Sequence, residues 1–103
     1  MPRDAPRGYF AGVDVKITND GTEAIVVTVY DMSASPARIV LANARINSFS
    51  SVPVSVVADA NGRAHLRWTA STIDPTFPKC GQARTTVGNA GSVEVHADSI
   101  CRA

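Results

Sequence analysis

Asp59-Ala60-Asn61-Gly62-Arg63-Ala64-His65-Leu66-Arg67-Trp68-Thr69 is the stretch whose reading decides the fold. Its first four residues are the strongest turn signal in the chain, because Asp, Asn and Gly accept backbone conformations that other residues resist. From Arg63 the chain alternates. Ala64, Leu66 and Trp68 are apolar, while Arg63, His65 and Arg67 are polar. A period of two puts these sets on opposite faces of a pleated strand, with the apolar set inward.

The same pattern extends toward the N-terminus. Val52, Val54, Val56 and Ala58 share one face of a strand. Pro53 cannot donate a ladder hydrogen bond, so that strand belongs at an edge or begins there. The run Ala24 to Asp31 is apolar on both faces near its middle and reads as a central strand. Val13, Val15 and Ile17 alternate with Asp14, Lys16 and Thr18. Between these two strands, Asn19-Asp20-Gly21 predicts a tight hairpin. A further strand spans Arg38 to Asn47, with Ile39 and Leu41 on one face and Val40, Ala42, Ala44 and Ile46 on the other; a short helix is the alternative, since Ala, Leu and Arg favour helices.

Toward the C-terminus, Ala70 to Ala83 is the longest irregular stretch, punctuated by Pro75, Pro78 and Gly81. Arg84 to Val87 reads as a short strand and Gly88-Asn89-Ala90-Gly91 as a turn. The last strand runs from Ser92 to Asp98, with Val93, Val95 and Ala97 inward and Glu94, His96 and Asp98 outward. About seven short, mostly antiparallel strands with regularly spaced turns predict an all-β, two-sheet sandwich of immunoglobulin-like outline. A small β-barrel is the second choice. Residues 1–11 read as a flexible tail and residues 12–103 as one domain. Both cysteines follow Trp68, which departs from the antibody pattern of cysteines flanking a tryptophan.

Composition narrows the class. Hydrophobic residues make up 45% and charged residues 18%, which supports a packed core. Ten cations face nine anions with no basic stripe, so no nucleic-acid partner is expected. No apolar run approaches the roughly 20 residues of a membrane-spanning helix, and no membrane insertion is expected. Met1 to Arg7 lacks the apolar segment of a signal peptide. The chain is therefore expected to be a mature form with an added Met1.

Cys80 and Cys101 are the only cysteines. Their spacing is not that of zinc or thioredoxin-like motifs. A disulfide between them would tie the long loop to a terminus that otherwise frays. It would persist only in an oxidising compartment, so a secreted or periplasmic location is expected. The alternative is a pair of buried, reduced thiols.

Two regions carry polar residues worth testing as sites. If the strands holding Arg63, His65 and Arg67 and holding Glu94, His96 and Asp98 are neighbours, cations face anions across a ladder. That row is a candidate polar binding face or two-histidine metal site, although register specification on a solvated face is the preferred reading. The loop with Asp74, Thr76, Phe77 and Lys79 is the candidate binding loop, held by Cys80, with Phe77 otherwise capping the core. Asp59 and Asn61 lack the ligand pattern of a calcium loop. No catalytic residue, metal or cofactor is assigned: there is no G-x-S-x-G, no serine can be paired with His65 or His96, and nine scattered acids single out no glycosidase pair.

In Val27-Thr28-Val29-Tyr30-Asp31, Val52 to Trp68 and Ser92 to Cys101 the chain resembles small exported β-rich proteins of uncharacterised function from Burkholderia-type proteobacteria. The resemblance spans Gly12 to Cys101. It implies export and a sandwich-like fold and carries no catalytic residues. The expected function is a monomeric, non-enzymatic interaction module of the cell envelope or extracellular space, with an unknown protein or glycan as partner. A carbohydrate-binding module is the first alternative and a small hydrolase the second.

Overall fold

Strands with one apolar face must bury it against another layer, and here they do so in two stacked sheets. The computed structural model describes residues 12–34, 36–73, 76 and 78–101. Its strands are β1 (Gly12–Asn19), β2 (Ile25–Asp31), β3 (Arg38–Ile46), β4 (Ser51–Val57), β5 (Arg63–Thr72), β6 (Lys79–Gly88), β7 (Ser92–Val95) and β8 (Ser99–Ile100). One sheet has the order β4-β1-β7 and the other β3-β2-β5-β6-β8. Every pairing is antiparallel except β1 with β7, which is parallel.

The predicted faces hold for most strands. Val13, Val15 and Ile17 are buried, as are Val54 and Val56, Ala64, Leu66 and Trp68, and Val93 and Val95. They meet Ile25, Val27 and Val29 of β2 in a single core rich in β-branched side chains. β1 and β4 lie side by side opposite β3-β2-β5-β6, and between β1 and β6 the chain changes sheets after β1, β3 and β4. This is the connectivity of the immunoglobulin sandwich without its first strand. β7 takes the vacant place beside β1.

Four expectations are corrected. First, Asn19-Asp20-Gly21 is not a hairpin, because β1 and β2 lie in different sheets. None of the three residues has the positive φ that a two-residue type I′ hairpin requires. The Asn19 side chain is buried instead, donating from Nδ2 to the carbonyls of Glu23 (2.7 Å) and Ile46 (3.0 Å). Its Oδ1 accepts the Gly21 N–H at 2.9 Å. Asn19 thus turns the chain across the core and ties β1 to the end of β3.

Second, β3 does not alternate evenly. Its register with β2 shifts between Val27 and Val29 and again between Val29 and Tyr30. Asn43, at φ 47°, sits in the first irregularity. Extra residues at bulges reset the phase, so Ile39 is exposed while neighbouring Val40 and Leu41 both pack against the core.

Third, the stretch from Ala70 to Ala83 is not irregular at its two ends, because β5 continues to Thr72 and β6 starts at Lys79. Ala70 pairs with Gly81 and Ser71 with Cys80. The Lys79 N–H donates to Thr72 Oγ1 at 2.8 Å. Fourth, the last strand is divided. β7 ends at Val95, and the chain crosses over to pair Ser99 and Ile100 with the start of β6.

Asp31 is the counterpart of Asn19. Fully buried at the end of β2, its carboxylate accepts the N–H of Ser33 (3.0 Å) and of Val57 (2.9 Å), and Arg38 lies 3.7 Å away. The Val57 bond joins the two sheets. Pro53 also lies where expected, on edge strand β4 opposite Lys16.

Replacing Asn19 with Ala removes the donor to two carbonyls. Equilibrium urea unfolding of Asn19→Ala is expected to show a loss of about 2–4 kcal/mol, as for buried polar groups left unsatisfied. A loss within about 0.5 kcal/mol, the usual range of a surface substitution, would contradict the cross-sheet role.

Candidate functional site

β6 has ten residues, but β8 pairs only with Lys79 and Cys80. Among the described residues, the backbone from Gly81 onward has β5 on one side and no ladder partner on the other. Alternation identifies the groups at that open edge. The Cys101 N–H donates to the Pro78 carbonyl at 3.3 Å, on the β8 side. The Lys79 N–H points the other way, to Thr72. Counting along an unbroken register, Gln82, Arg84 and Thr86 direct their N–H and C=O groups to the open side, while Gly81, Ala83 and Thr85 direct theirs to β5.

The inner face of β6 is open as well. Ala83 is opposite buried Trp68 and so has the inward phase, yet it is exposed. The three-stranded sheet ends at β7 and leaves this part of the five-stranded sheet uncovered. The result is a cleft of about 770 Å³, floored by Trp68, Ala70, Gly81 and Ala83 and walled by β7 and β8. A second hollow of about 400 Å³ lies beside Asn19 to Glu23, and the two share His96 and Asp98. Gly81 is required at the cleft's end, since a Cβ there would collide with the carbonyl of His96 where the chain crosses.

The Cys80–Cys101 disulfide fixes that crossing. The two Cα atoms are 4.9 Å apart. Cys80 sits in β6 rather than in a loop, opposite Ser99. The bond therefore bolts the last strand to the edge of β6, beside the cleft. A disulfide belongs to a non-reducing compartment.

The predicted polar face is not formed as one row. β5 neighbours β2 and β6, whereas β7 lies in the other sheet, so Arg63, His65 and Arg67 do not oppose Glu94, His96 and Asp98. The inward phases of both strands were met, but matching phases do not make strands neighbours. On β5, His65 Nε2 contacts Asp59 Oδ2 at 2.5 Å and its Nδ1 lies 3.1 Å from Thr86 Oγ1. The Arg67 guanidinium lies over the Tyr30 ring, 5.1 Å from its centre, and donates to Gln82 at 3.4 Å. Arg63 is exposed.

The second row lines the cleft. His96 Nδ1 is 3.3 Å from Asp20 Oδ1 and its Nε2 is 3.9 Å from Asp98 Oδ2. Its ring meets Trp68 edge-on, with centres 5.9 Å apart. Among the described residues, no three His, Cys, Asp or Glu side chains are grouped to hold a metal ion. Of the candidate loop, Asp74 and Phe77 lie outside the described residues, as does the tail 1–11. Thr76 is exposed, and Lys79 opens β6 with its amine 3.9 Å from Glu23.

Asp59 is occupied within its own turn. Oδ1 accepts the N–H groups of Asn61 (2.8 Å) and Arg63 (3.0 Å). Gly62 supplies the positive φ of 76°. The Arg63 N–H first, and His65 second, hold the carboxyl at about 2 rather than its ordinary 3.8. Because the folded value is depressed, the turn's contribution is present above pH 3.8 and is lost as pH falls toward about 2.

Two outcomes follow. The melting-temperature gap between wild type and Asp59→Asn should be full at about pH 5 and close toward about pH 2; a gap that stays constant would contradict the account. Removing the disulfide, which spans 21 residues, should cost roughly 3 kcal/mol. Hydrogen exchange in the Cys80→Ser/Cys101→Ser protein should accelerate first at Ser99 and Ile100. Acceleration spread evenly over β5 would contradict a local bolt.

Comparison with protein-family models, with curated proteins and with solved structures finds no match to this chain.

Proposed function

We propose that this protein is an exported bacterial interaction module, secreted or periplasmic, that works without catalysis and as a monomer and receives its partner in the cleft beside β6. The observation that carries this reading is the exposure of Ala83 on a face phased toward the core. A small apolar side chain left open above Trp68 and Ala70, next to a strand fixed by a disulfide, is a preformed concave surface on a rigid scaffold. The oxidised Cys80–Cys101 pair supports export.

The alternatives fit this cleft less well. A carbohydrate-binding module needs an aromatic ring face presented to solvent. Trp68 is only 4% exposed, and Tyr30 lies under Arg67. A hydrolase of the serine type needs a histidine bonded to a nucleophile. In the cleft His96 instead stands between the carboxylates of Asp20 and Asp98, while His65, which does bond the Thr86 hydroxyl, lies on the outer face of β5 and does not line the cleft.

A photo-crosslinking residue placed at Ala83, in protein expressed in its native host, is expected to give a discrete adduct. The same residue at Ile39, exposed on the far edge strand, should give none. Equal adducts from both positions, none from either, or loss of the Ala83 adduct when a glycan is added before irradiation would contradict the reading.

A further inference from the structure

The cleft and the unpaired edge of β6 are one feature, and together they specify the chemistry of an occupant. Taking the cleft as a binding site, as proposed above, we infer that its partner is an extended peptide segment that adds to β6 as a strand. Its inward side chains are bulky and apolar, and it carries an acidic residue outward beside Arg84.

Three observations lead there. The edge offers N–H and C=O groups from Gln82, Arg84 and Thr86, an alternating set that an extended backbone satisfies. The chain already uses this edge once, since β8 pairs with its first two residues before the ladder stops. The inner face beside the edge is built from Gly81 and Ala83, so an added strand must supply the volume that these residues lack.

Charge fixes the outer face. Arg84 lies directly opposite Arg67 across the β5–β6 ladder. Like charges in that position repel. Arg67 rests on Tyr30, and among the described residues no carboxylate pairs with Arg84. An acidic side chain on the added strand, next to Arg84, relieves the repulsion.

The same features disfavour a second copy of this chain. Antiparallel pairing of two β6 edges centred on Arg84 would set one arginine against the other. It would also turn two sets of Gly81, Ala83 and Thr85 toward the cleft and leave it unfilled. A charge on an open edge is a common guard against such self-pairing.

The test begins with a library of short random peptides displayed on phage and selected on the intact, oxidised chain. Selected sequences are expected to place an acidic residue between bulky apolar neighbours. A synthetic selected peptide should slow exchange of the Gln82, Arg84 and Thr86 amides roughly tenfold or more. Arg84→Glu, a change at an exposed position, should weaken that peptide roughly five- to tenfold, the scale of an exposed cross-strand charge pair or two. Exchanging the peptide's acid for Lys should restore binding to Arg84→Glu. Loss of selection, an unchanged affinity in Arg84→Glu, or protection of the same amides by dimerisation without peptide would overturn the inference. Peptides that bind but protect other residues would also overturn it, while an Ala83 crosslink would still leave the interaction-module reading in place.

Discussion

Three strands packed on five cannot cover them. β4-β1-β7 shields the inner faces of β2 and β5 well enough to bury Val27, Val29, Leu66 and Trp68. It does not reach across β6. The alternating burial of β5 breaks down one strand further on, where Gly81, Thr85 and Val87 are half-buried and Ala83 is exposed. The cleft, the open edge and the need to bolt β8 down all follow from this mismatch in width. A long unpaired edge is a liability in a small β protein, and its retention here beside a rigid concave surface is what makes it a candidate site.

The unequal sheets are held in place by buried polar corners. Asn19 and Asp31 each bond backbone groups across the core, and each lies at a point where the chain leaves a strand. Such groups are costly to bury unless fully bonded. Once bonded, they select one arrangement among the many that a core of Val, Ile and Ala could adopt. Asp59 does similar work at the surface, ordering the turn that carries the chain from β4 into β5. The disulfide acts on a different region, the far edge, where exposed Ile100 lies outside the core.

Side-chain period was legible in the sequence because it depends on each strand alone. Val13-Val15-Ile17, Val54-Val56 and Ala64-Leu66-Trp68 face inward as their alternation requires. The cysteine pair was legible too, since two cysteines allow one bridge. Neighbour relations were not. Period two says which face is buried and nothing about which strand lies alongside, so Asn19-Asp20-Gly21 read as a hairpin, and whether Arg63-His65-Arg67 stood opposite Glu94-His96-Asp98 hung on a pairing that the pattern does not specify. The bulges of β3 break the period itself. The first half of β6, Lys79-Cys80-Gly81-Gln82-Ala83, shows no apolar alternation because its inner face is small and partly solvated. For the same reason the cleft left no mark in the sequence beyond Gly81.

Amide hydrogen exchange along β6 in the free, oxidised protein tests the central claim most directly. If the outer side of β6 is unpaired, protection alternates: the amides of Gly81, Ala83 and Thr85 exchange slowly because they bond to β5, while those of Gln82, Arg84 and Thr86 exchange quickly. Uniform slow exchange from Gly81 to Thr86 at low protein concentration would mean that another part of the chain already covers the edge, and it would contradict the account.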